Sequence, residues 1–335
     1  MSTSRSATPA TVPQPESRPT APADPDAFLK PDKDVHIPRD FATFLADYSG
    51  IDPTNAKAHC LAVRAEAWKV HRYPCIGMLL FLDTRQGIKA CPGNAFEEAV
   101  ALLKSQEQQE PLYLDIGCGL GQDLRLLRQA GVPSHRLLGT DLLPGLIQAG
   151  YHLFRDADDD TTGNTILGAS FFTPHDIFAS LDGDEDGGHV QDSAYNPLTP
   201  YRHRFAVVNL GHLLHIFSRA EQLDMLTRQV VGALLRPSVS PQGAGGGGGA
   251  LIAGTTVGVA SPSGLEMPSR HGRGVTTFIH SPGSFTALME DVGRATGTLW
   301  NVEARLDNVM NDLNTLGQEG LQAFRLAFTC KRRAA

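Results

Sequence analysis

Leu112 to Asp123 reads LYLDIGCGLGQD, an apolar run that rises to Asp115 and then breaks into Gly117, Gly119 and Gly121 ahead of a helix-like pattern. The order it spells is strand, glycine turn, helix N-terminus. Glycine has no Cβ and tolerates positive φ, so such a turn lets backbone approach a bound ligand closely. Asp115 falls at the carboxyl end of the strand, facing the crevice where open α/β sheets bind ligands. A carboxylate at that point suits an amine-bearing ligand better than a pyrophosphate.

Two better-known glycine patterns do not fit. The dinucleotide fingerprint is G-x-G-x-x-G. Counted from Gly117 its third glycine falls on Gln122, and counted from Gly119 it falls on Leu124. No Lys-Ser or Lys-Thr follows, so the Walker A pattern fails as well. What remains is D-x-G-x-G, which resembles the class I methyltransferases that use S-adenosylmethionine. On that reading Asp115, Gly117, Gly119, Gln122 and Asp123 line the cofactor.

Later strand ends extend the set. RLLGTDL, residues 136–142, is a second strand that closes on Asp141, 26 residues past Asp115 (141 − 115). A carboxylate there accepts hydrogen bonds from both ribose hydroxyls; it also suits a helix N-cap, and the two roles are compatible. Leu142 follows it as a cofactor candidate. ILGASFFTPHDIF, residues 166–178, carries the third strand and ends on His175, Asp176 and Ile177. Asp176 would accept from the adenine amine and Ile177 would cover the ring, with a plain turn aspartate as the alternative. RFAVVNLGHLLHIF, residues 204–217, is the fourth strand and its turn. It supplies Asn209 to the cofactor set and His212 and His215 to the acceptor side. His215 is the candidate general base for a phenol or alcohol acceptor; a packed histidine beside Phe217 is the alternative. His71 and Tyr73, in HRYPCIGMLLFLD, are candidates to close over the methionine end or the acceptor.

Around these motifs the chain divides three ways. Residues 1–34 are rich in Pro, Ser, Thr and Ala and are expected to be disordered. Residues 35–105 are expected to form a helical cap region. Its helices fall at 41–48, 55–70, 76–82 and 96–104, with Ala58, Leu61, Ala62, Ala65 and Trp68 as one apolar stripe. Residues 106–335 are expected to form the cofactor-binding domain, with insertions at 181–203, an acidic surface loop, and 237–249, a Gly-rich linker. Ser218 and Glu221 spell a capping box. Ser281 with Pro282 opens a late helix that ends near Gly297. The stretches from Leu299 and Gln322 form a terminal antiparallel strand pair.

Composition narrows the partners. The 335 residues carry 29 Lys and Arg against 36 Asp and Glu, a net charge of −7. That balance argues against nucleic acid or an anionic membrane as partner. The five cysteines form no C-x-x-C pair, so they read as reduced thiols of a cytoplasmic protein. The acidic loop lacks EF-hand spacing, and no metal site is expected. No apolar run reaches the roughly 20 residues of a membrane span, and oligomeric state is not encoded in any motif.

Together, HRYPCIG, LDIGCGLGQDLR, GTDL, GYHLFRD, HDIF, HLLHIF and GTLWNVEARL resemble a fungal methyltransferase family of secondary-metabolite gene clusters. The resemblance spans about Trp68 to Arg305; His152 and the two insertions depart from it. It implies a Rossmann-like α/β fold with a seven-stranded, mostly parallel sheet, helices on both faces and a helical N-terminal cap. It also implies S-adenosylmethionine as cofactor and a small-molecule acceptor of the meroterpenoid kind, methylated on a carboxyl group. O-methylation of a phenol or alcohol, and a non-catalytic cofactor-binding subunit, are the alternatives.

Overall fold

A computed structural model describes residues 26, 28–107, 109–157, 171–172, 175–179, 181, 196–237, 249–269, 276–308 and 322–333. Four helices precede the first strand: α1 (Arg39–Ser49), α2 (Ala56–Val70), the single turn α3 (Pro74–Gly77) and α4 (Ala95–Leu103). Then come β1 (Leu112–Ile116), α5 (Gln122–Gln129), β2 (Leu137–Thr140), α6 (Pro144–Phe154), β3 (Phe171–Phe172) and β4 (Phe205–Asn209). Next are α7 (Arg219–Asp224), continued as a π-helical stretch over Met225–Leu234, and β5 (Leu251–Gly258). The short strands β6 (Leu265–Pro268) and β7 (Thr276–Ile279), helix α8 (Pro282–Thr296), β8 (Trp300–Asp307) and β9 (Phe324–Arg332) complete the chain.

The main sheet has the order β3-β2-β1-β4-β5-β9-β8. Strands β3 to β5 pair in parallel, whereas β9 runs antiparallel to both β5 and β8. All five residues of β1 and of β4 are buried, as parallel strands covered on both faces must be. Alternation sorts their side chains between two layers. Tyr113 and Val207 meet α4, α5 and the 88–91 turn; Leu112, Leu114 and Val208 meet the α7 region and α8. The strand order reverses at β1, whose neighbours are β2 and β4, the point at which open α/β sheets bind their ligands.

Local chemistry fixes the helix ends. Gly121 caps α5 with φ +69°, and Gly297 closes α8 with φ +66°, both left-handed values that favour glycine. Ser218 and Glu221 form the capping box that the sequence spells, as do Ser281 and Ser284. The five cysteines are free thiols. Among the described residues no helix is long and apolar enough to cross a membrane.

Several expectations need correction. Helix α2 buries Ala56, Cys60, Val63 and Ala67, while Ala58, Ala62 and Ala65 of the expected stripe are exposed. Alanines carry too little apolar area to choose a face, and Cys60, Val63 and Trp68 choose it instead. The expected helix at 76–82 is two short turns broken at Leu79, which has φ +54°. Of the segment expected to be disordered, residues 1–25 and 27 lie outside the described residues. Phe28 and Leu29, however, pack against the α1–α2 core, and Trp68 donates to Asp26 at 3.2 Å. Of the expected acidic surface loop, residues 182–195 lie outside the described residues. Its ends do not stay on the surface: Leu181 and Leu198 sit in the core, and the Asn196 side chain donates to the Ala179 carbonyl at 3.2 Å. Residues 238–248 of the expected linker are also outside the described set.

Candidate functional site

The site is built from the reversal point outward. Asp115 lies on β1 opposite Gly139 of β2 and Asn209 of β4. Its carboxylate accepts from Asn209 Nδ2 at 2.9 Å, and the same amide nitrogen donates to Asp123 Oδ2 at 2.9 Å. Asp123 also accepts from the Ile88 backbone at 3.1 Å. Burial pushes the Asp115 carboxyl well above its ordinary range, and the Asp123 charge pushes it further. Burial likewise raises Asp123, to about 6. The other side of this cluster is unmet, because Asn209 Oδ1 is buried without a hydrogen-bond partner.

The glycine turn supplies space. Gly119 has φ +54°, and a Cβ built there would meet nothing within 4 Å. At Gly117 (φ +69°) a Cβ would fall 2.9 Å from Leu213, so that glycine serves packing. Asp141 Oδ2 accepts from the Gly119 backbone at 2.9 Å, and its Oδ1 accepts from Leu143 at 2.8 Å. It therefore fastens the glycine turn and closes a local turn at Leu143, just ahead of α6. Burial raises its carboxyl as well. Leu142 beside it is 60% exposed.

The remaining candidates divide. His175 donates its backbone N–H to the Asp141 carbonyl at 2.9 Å, which brings residues 175–176 alongside. Asp176 Oδ1, however, accepts from Phe178 N at 3.0 Å, the turn geometry of the plainer reading. Ile177 is buried in the core beside β1 and β4. Gln122 reaches back to the Asp83 carbonyl at 3.0 Å, so Gln122 and Asp123 both tie the N-terminal segment to the turn. Tyr73 stacks on His71 with ring centroids 3.9 Å apart. Burial and then the charge of Asp141 push its phenol up to about 12. His215 is held by Thr256 Oγ1 at 3.0 Å, and its carbonyl accepts from Thr277. His212 has φ +53° and a buried, unpartnered Nε2.

One feature of the turn was invisible in the sequence. Arg125 is wholly buried beneath it and donates to the carbonyls of Leu120 at 3.0 Å and Gly121 at 3.2 Å. Asp156 grips the same guanidinium through two bonds of 2.8 Å, and Tyr48 of α1 donates to Asp156 at 2.9 Å. The glycine turn is thereby braced from α5, the segment just after α6 and the N-terminal region at once. A surface concavity of about 650 Å³ between α1, α5 and residues 84–89 lies away from the strand ends.

These residues fit an S-adenosylmethionine-type ligand. An ammonium needs acceptors, and Asp115 with the orphaned Asn209 Oδ1 offers them. A ribose needs a carboxylate beside open backbone, which Asp141 and Gly119 provide. An adenine needs an apolar wall, and Leu142 presents one.

The meroterpenoid methyltransferase N-terminal domain matches residues 29–82. The chain is 32% identical over 266 residues to the O-methyltransferase atr3 of Stereocaulon alpinum, covering 78% of this chain and 64% of atr3. It is 30% identical over 259 residues to the O-methyltransferase phiE of a fungal species (strain ATCC 74256), covering 77% of this chain and 72% of phiE. Over 114 residues it is 39% identical to the Asnovolin E/Chermesin D methyltransferase nvfJ of Aspergillus novofumigatus, covering 34% of this chain and 38% of nvfJ. The matched stretch thus spans just under two thirds of atr3 and more than two thirds of phiE. With that identity and coverage, the chain belongs to the family of fungal O-methyltransferases that includes phiE and atr3.

Proposed function

We propose that the protein O-methylates a carboxyl group of a small fungal metabolite. The observation that carries this reading is the pairing of an acidic, amine-ready cluster (Asp115, Asn209) with an open glycine at 119 fastened by Asp141. When bound, S-adenosylmethionine supplies a methyl group already activated by a positive sulfur. Asp115 and Asn209 would hold its ammonium, Asp141 its ribose and Leu142 its base. The residues 35–105 would act as a cap, with His71 and Tyr73 packed together in it.

An acceptor carboxylic acid is ionised near pH 7, so the chain need supply no base for it. Its task is to hold an acceptor oxygen in line. In the structure the His215 ring lies against the Thr256 hydroxyl at 3.0 Å. Incubation with methyl-labelled donor and matched aryl acids and phenols tests the reading. Label released by mild alkali, as from an ester, is expected. Alkali-stable label on phenols with none on acids would contradict it.

A further inference from the structure

Two polar side chains, one just past the end of β4 and one on β9 beside β5, are left unexplained by the cofactor. His212 holds a positive φ of +53°, which costs energy for any residue with a Cβ. Its backbone N–H donates to the Thr255 carbonyl at 2.6 Å, which pins it to β5. Its Nε2 is shut from solvent and has no partner. Burial pushes the imidazole down to about 4, and the charge of Arg325 lowers it further.

Arg325 lies on β9 opposite Val257, two residues past Thr255 on the same sheet face. It is 7% exposed. Its Nη2 meets Asp307 at 3.1 Å, its Nη1 makes a long 3.4 Å contact with the Arg85 carbonyl, and its Nε is buried with no partner. Asp307 is also claimed by Arg305, at 3.1 Å. Arg305 is half exposed, so its charge is met by solvent, while the Arg325 guanidinium is buried against that one carboxylate. A buried cation with an idle N–H beside a strained histidine with an idle ring nitrogen asks for an anionic acceptor atom.

We propose that Arg325 and His212 form the subsite that grips the ionised carboxylate of the methyl acceptor. This deepens the carboxyl reading above and rests on it. A carboxylate has two oxygens. One is presented for methylation, and the other takes the Arg325 Nε–H and a proton carried on His212 Nε2. A phenol brings a single oxygen and, at neutral pH, no charge, so it gains nothing from the pair. Arg325 is thus a specificity residue that favours acids over phenols.

The probe is 2,4-dihydroxy-6-methylbenzoate, with its methyl ester as the uncharged control, titrated into full-length protein saturated with S-adenosylhomocysteine. The acid is expected to bind saturably and the ester at least tenfold more weakly. Arg325→Gln and His212→Asn are each expected to weaken the acid at least tenfold, while affinity for S-adenosylhomocysteine stays within twofold. His212→Asn is the milder variant, since asparagine tolerates a left-handed backbone. Should Arg325→Gln fail to bind S-adenosylhomocysteine through misfolding, His212→Asn carries the decision alone. Equal affinity for acid and ester, or unchanged acid binding in His212→Asn or in a folded Arg325→Gln, overturns the subsite. Absence of S-adenosylhomocysteine binding in the wild type would instead overturn the cofactor reading beneath it.

Discussion

At the scale of single residues, the carboxylates behind the glycine turn set a pH dependence. Asp123 is raised to about 6 by burial, and Asp115 is raised by burial and by Asp123. A raised folded pKa means that protons are held more tightly in the folded state. The stability they give is complete below about pH 4, the unfolded value, and is lost as pH rises through about 6. The apoprotein is therefore expected to melt at a lower temperature at pH 6.5 than at pH 4.5, and Asp123→Asn should flatten the difference. A melting temperature that holds or rises across that window in the wild type would contradict the argument. An ammonium ligand prefers the ionised pair, so S-adenosylmethionine affinity should rise between pH 5 and 7. Gly119 offers a second test at this scale. Alanine there meets no atom, so Gly119→Ala should cost about 1 kcal/mol from its left-handed backbone. Donor affinity should nevertheless fall tenfold or more by titration calorimetry. Gly297→Ala, with a similar φ of +66° far from the crevice, should pay the same strain and leave affinity untouched.

At the scale of elements, α1, α5 and the segment just after α6 meet in the Tyr48–Asp156–Arg125 chain under the turn. Removing one partner of a buried ion pair strands the other charge, so Asp156→Ala should cost roughly 3–5 kcal/mol in chemical denaturation. Tyr48→Phe removes one hydrogen bond and should cost about 1 kcal/mol. A loss below 1 kcal/mol for Asp156→Ala would show that the chain bears little load. This brace was illegible because LRLLRQ reads as an ordinary amphipathic turn, and Arg125 is buried only by what α6 and α1 bring over it. What was legible was local. The capping box at Ser218, Pro282 at the head of α8, and the strand ends at Asp115 and Asp141 all express backbone rules that act within a few residues. The face of α2 was misread because alanines speak weakly, and the β6–β7 hairpin was missed because its two strands are four residues each. Likewise Asp123, Gln122 and Arg325 found their partners only through long-range contacts that no spacing encodes.

At the scale of the whole molecule, the N-terminal helices are not a detachable unit. Phe41, Phe44, Leu45, Val63 and Trp68 share one apolar cluster with Leu120 and Leu126 near the turn and with Leu146, Leu153 and Phe154 of α6. A protein beginning at residue 106 would expose that face, and it is expected to lack a cooperative thermal transition. A sharp transition with retained donor binding would show the cap to be an independent domain. The central claim remains the carboxylate-lined crevice at the ends of β1 and β2, and isothermal titration of S-adenosylmethionine into wild type and Asp141→Ala tests it most directly. The account predicts saturable one-to-one binding to wild type and affinity at least tenfold weaker in the variant. No heat with wild type, or equal affinity in the two proteins, would contradict it.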